Sequence, residues 1–272
     1  MRRYAQGRGC RIVRRRGALA GALAMIGLLA AGAGPVLARD SAGPVSARPV
    51  SYAELDRLPD WRGVWIPMAP PFFMGPPAPV MKGVYKQRFD RVIAELEKGN
   101  SNPVETRASG CEPPAMPTVM IQPYNLEFLF TPGRVTIVQE AYMQVRRVFT
   151  DGRPLPEDPD PTFNGSSIGR WEGDTLVVTT VGLKEGKNLG YVGAVNSDRL
   201  RITERIHLAR DNPDHLIVDF AFEDAEALVE PWHRSVTFQR HREWEQAEFV
   251  CAENDRNPFD SKGEPQFVPP VD

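Results

Sequence analysis

The sequence predicts an all-β fold, an antiparallel up-and-down barrel with one amphipathic helix N-terminal to it. Three observations predict it. After Cys111 the apolar residues recur with period two rather than 3.6, the mark of strands with one buried face. Short turn signals separate the runs: Pro132-Gly133, Asp151-Gly152, Gly173-Asp174 and Asn212-Pro213. No helical period lies between them, so consecutive strands pair antiparallel and close into a barrel or stack as a sandwich.

Along the chain, residues 1–38 read as a secretory signal peptide. Seven arginines and no acidic residue precede an Ala- and Gly-rich apolar run, which ends in Val36-Leu37-Ala38, a small-residue cleavage pattern. Cleavage after Ala38 leaves 26 basic against 35 acidic residues, a net charge near −9. So acidic a chain excludes nucleic acid as the expected partner, because phosphate binding needs clustered Lys and Arg. The protein is expected in the periplasm or secreted, with no stable membrane anchor after cleavage. Cys10 leaves with the signal. Cys111 and Cys251 remain, and two cysteines in an exported chain are most simply one disulfide.

Residues 39–50 are a linker, and a single domain spans 51–257. Ser51-Tyr52-Ala53-Glu54 is a capping box opening a short helix that Pro59 ends. Trp61–Trp65 reads as a first strand, and the Pro-rich stretch to Pro79, with Phe72, Phe73 and Met74, as a strap or lid. Residues 80–98 form the amphipathic helix. Val84, Tyr85, Phe89, Val92, Ile93 and Leu96 share a face, and Gly99-Asn100 stops it. The strands that follow are Leu126–Thr131, Arg134–Glu140, Tyr142–Thr150, Ile168–Trp171, Asp174–Val181, Leu200–Leu208, His215–Glu223, Trp232–Arg242 and Glu245–Cys251. The long break Asp151–Asn164 carries four prolines and has the length of a loop that borders a binding site. Residues 258–272 form an extended tail.

Gly165-Ser166-Ser167-Ile168-Gly169 matches G-x-S-x-G, the nucleophile elbow of serine hydrolases. That elbow needs a buried strand before the serine and a helix after it. Here a Pro-rich loop precedes it, and Trp171-Glu172-Gly173-Asp174 turns into the β-branched run Thr175–Thr180, so a hairpin entry is the better account of Ser167.

Chemistry is expected instead from polar residues on apolar strand faces. Glu204 sits among Leu200, Ile202, Ile206 and Leu208. By the same period, Arg147 sits with Met143, Val145 and Phe149. A lone buried charge costs several kcal/mol, so each needs a partner, and each can be the other's. As a pair they read as a structural ion pair or as an acid and an anion clamp in a ligand cavity, with Trp171 and Trp232 adding aromatic walls. His207, His215, His233 and His241 lack metal-ligand spacing, and Asp158-Pro159-Asp160 lacks a calcium-loop pattern, so no metal is expected. Nor is any cofactor, since no phosphate-binding glycine loop or haem motif is present.

Gly63-Val64-Trp65, early in the first strand, is similar to the G-x-W start of lipocalins. That resemblance implies a lipocalin-like barrel whose closed end is plugged by Trp65. A longer match runs through Cys111-Glu112-Pro113, Met116-Pro117, Arg147–Arg153, Gly165–Val178, Thr203-Glu204-Arg205, Pro231-Trp232 and Cys251–Asn254. It resembles a widespread family of exported, functionally uncharacterised bacterial proteins carrying G-x-S-x-G-x-W-E-G-D-T-L-V-V. The chain departs from that pattern at Thr179, where the family has an aspartate, and at Asn196-Ser197, near its His-x-Ser; any site relying on those groups would be altered here. The expected function is binding of a small apolar or aromatic molecule inside the barrel. A cofactor-independent lyase, isomerase or hydratase using Glu204 and Arg147 is the second reading, and a non-catalytic envelope protein the third. Export predicts a mature chain beginning at Arg39. Intact-mass measurement of the periplasmic or secreted protein checks it, and a chain retaining residues 1–38 would overturn it.

Overall fold

Nine strands cannot close into a ring with every neighbour antiparallel. Each antiparallel neighbour reverses strand direction, and a closed ring must return to its starting direction after an even number of reversals. This protein meets that constraint with one parallel pair. The computed structural model describes residues 51–68, 75–100 and 112–250. The signal peptide, the linker, Phe72-Phe73-Met74, Cys111, Cys251 and the tail lie outside them.

Within the described residues, β1 (Val64–Pro67), β2 (Leu126–Thr131), β3 (Arg134–Gln139), β4 (Gln144–Phe149), β5 (Ser166–Glu172), β6 (Thr175–Val181), β7 (Arg201–Leu208), β8 (His215–Glu223) and β9 (Trp232–His241) form a closed barrel in chain order. β1 pairs with both β2 and β9, which closes the ring. Every adjacent pair is antiparallel except β4–β5, which is parallel and held by only two residue pairs, Val148↔Ser167 and Phe149↔Ile168. The Pro-rich segment 150–165 makes this possible, because a parallel pair needs a connection long enough to return the chain to the opposite end of the barrel.

Two expected strands are corrected. Trp61–Trp65 pairs only from Val64 onward, and the run Glu245–Cys251 forms no strand over its described part, to Val250. The reason for the second is closure: β9 already has β8 and β1 as neighbours, so a further strand finds no edge. Residues 246–249 instead pack across the barrel wall. The Gln246 side chain donates to the Val138 carbonyl at 2.9 Å, and Phe249 lies 4.7 Å from the Tyr142 ring.

The two barrel ends are closed differently. At the first, Trp61 packs within 5.2–5.5 Å of Phe128, Phe130 and Trp171. Trp65 is fully buried beside them and donates its indole N–H to the Trp61 carbonyl. The Arg240 guanidinium sits 4.5 Å above the Trp65 ring, a cation–π contact at a buried site. Asp60 lies beside Arg62, Arg240 and Arg242, and the hydrogen bond from Arg62 holds its carboxyl well below the usual carboxylate range.

The capping box at Ser51 and Glu54 opens α1 (Tyr52–Leu55). At the second end, α3 (Thr118–Ile121) inserts four buried residues, and the segment 182–200 folds over beside it. The helix predicted over 80–98 is α2 (Gly83–Glu97). It buries Val92 and half-buries Tyr85 and Phe89, while Val84 stays exposed. Tyr191 joins α2 to the barrel, 6.1 Å from both Phe89 and Trp232.

The glycines of the G-x-S-x-G stretch have structural roles. Gly165 adopts φ +65°, and a Cβ there would fall 2.7 Å from both Thr180 Cγ2 and the Val181 carbonyl oxygen. A Cβ at Gly169 would fall 2.8 Å from Val148 Cγ1, on the other side of the parallel pair. Gly165→Ala combines left-handed strain with overpacking and is expected to cost about 2–4 kcal/mol. Urea unfolding followed by circular dichroism checks this; a loss under about 0.5 kcal/mol would remove the structural account of the motif.

Candidate functional site

Four strands turn polar side chains inward at one level of the barrel. Arg146 on β4 and Glu204 on β7 are 1% and 0% exposed, and they form a two-pronged ion pair. Arg146 Nη1 donates to Glu204 Oε1 at 2.9 Å, and Nη2 donates to Oε2. Nη2 also donates to Thr180 Oγ1 at 2.8 Å on β6, and Nε lies 3.4 Å from Ser167 Oγ on β5. The Ser167 and Thr180 hydroxyls bond each other at 2.8 Å. No polar atom of this quartet is left without a partner, the condition under which a buried polar network is tolerated.

Glu204 therefore lies on the inner face of β7, where its period places it, with Ile202 and Ile206 buried beside it. Its partner is corrected: Arg146 is the inward arginine, and Arg147 points outward. Two features explain the difference. Gln144–Phe149 carries a valine on each face and two adjacent arginines, so its own pattern does not choose a phase. Tyr142 and Met143 have φ of 57° and 49°, so Met143 belongs to a turn and cannot be counted with the strand. Pairing settles it, because Arg146 sits opposite the buried Ile137 and Val148 opposite Val135.

The four residues expected around one ligand are not brought together. Trp171 belongs to the aromatic cluster at the first end, Trp232 opens β9 at the second, Glu204 is sealed inside, and Arg147 is on the outer surface. Sealed against water and held by a guanidinium that cannot give up a proton, Glu204 has no route to a substrate proton. Among the described residues, the Ser167 hydroxyl contacts Arg146 and Thr180 and no imidazole. His207 contacts Asp219, His215 contacts Gln239 and His241 stacks on Trp244, so none of these reaches the serine. Among the described residues, no group of three or more His, Cys, Asp or Glu is placed to hold a metal.

What Arg147 does reach is a groove of about 920 Å³ on the outside of the β4–β5 seam. Its floor is the outer face of β4, with Val145, Arg147 and Phe149. One wall is the Pro-rich crossover, with Pro154, Leu155, Pro156 and Glu157; the other is Phe163–Ser166, leading into β5. Arg153 covers one rim, its guanidinium 3.8 Å over the Phe149 ring and anchored on Asp151. Phe163 is stacked from outside by Lys184 at 4.5 Å. Arg147 itself makes no ion pair or hydrogen bond among the described residues. Within the groove, Asn164 Oδ1 is buried without a hydrogen-bond partner.

The signal for this groove was in the sequence as the long proline-bearing break Asp151–Asn164. Leu155 and Phe163 were not singled out, because neither follows a strand or helix period.

A scan against protein-family models finds no match to the chain, and a search of curated proteins finds no matching relative.

The ion pair is expected to behave as a structural staple. Glu204→Gln leaves an uncompensated buried guanidinium and should cost about 3–5 kcal/mol. The double variant Arg146→Met with Glu204→Leu should recover most of that loss, because the Ser167 and Thr180 hydroxyls still satisfy each other. Urea denaturation of the two variants checks the pattern; a neutral Glu204→Gln contradicts it.

Proposed function

We propose that this is an exported barrel protein that binds a small apolar or aromatic anion, and that it binds it in the groove at the β4–β5 seam rather than in the barrel interior. The observation that carries this reading is Arg147. It makes no ion pair among the described residues and is set in a groove that it shares with Phe149, Leu155, Phe163, prolines and the charged Arg153 and Glu157. Apolar walls with a few convergent polar groups are the usual composition of a small-molecule site, the apolar part supplying affinity and the charge orientation. A cation there favours a carboxylate or similar anion, because a charge-assisted hydrogen bond is worth roughly 1.5–3 kcal/mol.

The interior supports binding less well. At the level of Arg146 and Glu204 it is occupied by hydrogen-bonded side chains, an aromatic cluster closes the first end, and the buried residues of α3 fill the second. A barrel of this size is commonly filled by its own side chains.

Titration with 3-phenylpropanoate, followed by calorimetry and by amide chemical shifts, tests the reading. Saturable binding with shifts confined to β4 and residues 153–168 is expected. Arg147→Gln should weaken it by roughly 10- to 100-fold. Binding that survives Arg147→Gln unchanged, or shifts centred on Glu204, would place the site elsewhere.

A further inference from the structure

The seam groove holds more than a charge: it contains an open length of strand edge. β4 and β3 pair along their whole length, from Gln139↔Gln144 to Arg134↔Phe149. Thr150 N–H bonds the Gly133 carbonyl at 2.8 Å, which fixes the phase of that ladder. In an antiparallel pair, bonded and non-bonded positions alternate. Gln144, Arg146 and Val148 therefore direct their backbone groups to β3, and Val145, Arg147 and Phe149 direct theirs to the seam.

On the seam side, β5 meets β4 only at Val148↔Ser167 and Phe149↔Ile168. This uses the Phe149 groups and the Arg147 carbonyl. The N–H of Arg147 and both the N–H and C=O of Val145 make no hydrogen bond among the described residues. Before Ser166 the incoming chain has swung away: the Phe163 carbonyl accepts from Met116 N–H instead of continuing the ladder. What remains is a one-sided strand edge, lying in a groove lined by Phe149, Leu155, Phe163, Arg153 and Glu157 and ending at the Arg147 guanidinium, which makes no ion pair among the described residues.

We propose that this edge binds the C-terminal end of an extended peptide, laid parallel to β4 where β5 would have continued. The proposal rests on the groove reading above and names its ligand class. In that register a C-terminal dipeptide unit uses every open group. Its first carbonyl accepts from Val145 N–H, its last N–H donates to the Val145 carbonyl, and its carboxylate accepts from Arg147 N–H and guanidinium. Main-chain pairing to a sheet edge supplies affinity, and side-chain pockets supply selectivity. Phe149, Leu155 and Phe163 favour a bulky apolar or aromatic last residue. Charge complementarity favours the free carboxylate over an internal segment, since Arg147 makes no ion pair among the described residues and the groove lining carries Arg147 and Arg153 against the single carboxylate of Glu157.

The test compares three probes on the full chain: N-acetyl-Ala-Phe, its C-terminal amide, and 3-phenylpropanoate. N-acetyl-Ala-Phe is expected to bind about tenfold tighter than 3-phenylpropanoate, the yield of two added net hydrogen bonds. The amide should lose roughly tenfold or more against the free acid. Val145→Pro removes one seam-facing N–H and no β3 bond. The preceding Gln144, at φ −74° and ψ 143°, already has a conformation a following proline accepts. In this variant the peptide-to-acid affinity ratio should fall towards one, while Val145→Leu, which keeps the N–H, should retain it. Circular dichroism and thermal unfolding confirm that each variant is folded. If 3-phenylpropanoate binds but the peptide binds no tighter, the strand-edge proposal fails and the groove reading stands. If neither probe binds, both fail. Peptide binding that weakens as the protein dimerises on concentration assigns the edge to a second copy and overturns the proposal.

Discussion

A ring of nine strands must contain at least one parallel neighbour, and much of what is distinctive in this protein follows from where that neighbour falls. The β4–β5 junction is the parallel one and among the shortest in the wall, with two residue pairs against six for β3–β4 and seven for β5–β6. Parallel pairing is also slightly the less stable per residue. The chain compensates from inside. Arg146 reaches from β4 across the seam to Ser167 on β5 and continues to Thr180 and Glu204 on β6 and β7. One side chain thus ties four strands together at a point where backbone bonding is thin. Gly169 does the same sterically, since its missing Cβ lets Val148 pack directly against β5.

A buried ion pair is a poor source of net stability, because desolvation offsets its Coulomb attraction. Its geometry is more demanding than its energy. The two prongs of the guanidinium meet both carboxylate oxygens only when β4 and β7 hold one relative height, with β5 and β6 carrying their hydroxyls between them. A strand slipped by one residue would turn Arg147 inward and Arg146 out, leaving Glu204 without the fork that now holds it. The pair therefore acts on register, where a short parallel junction needs the most help.

The sequence made β7 legible and β4 illegible for the same physical reason. On β7, Leu200, Ile202, Ile206 and Leu208 mark one face so clearly that a glutamate among them has to be interior, and Glu204 is fully buried. On β4, Val145 and Val148 fall on opposite faces and Arg146 is followed by Arg147, so periodicity carries no phase. The phase comes from the partner strand, where Val135 and Ile137 are inward, and from the left-handed Tyr142 and Met143 that reset the count. The need for a partner to Glu204 was readable from charge burial alone; which arginine supplies it was not. Ser167 shows the reverse case, in which a local pattern suggests catalysis and its surroundings remove it. A hydroxyl bonded to a guanidinium and to a second hydroxyl, with no imidazole in contact among the described residues, is an anchor.

The same parity that creates the weak junction also bears on where binding is supported. A strand returning in parallel must travel the length of the barrel outside it. That journey is the segment 150–165, whose prolines keep it extended and prevent it from pairing as a tenth strand. Its backbone bonds go elsewhere, from Thr162 to Gly182 and Lys184 and from Phe163 to Met116, so a groove is left between it and the incompletely paired β4. The groove is walled in part by the half-buried Phe149, Leu155 and Phe163, and it is bordered by backbone groups of β4 that β5 does not reach. Arg147 is the residue that the inward turn of Arg146 pushes to the outside of the same strand. The interior staple and the exterior cation are thus two consequences of one register, so the feature that fills the barrel also positions the charge beside its seam.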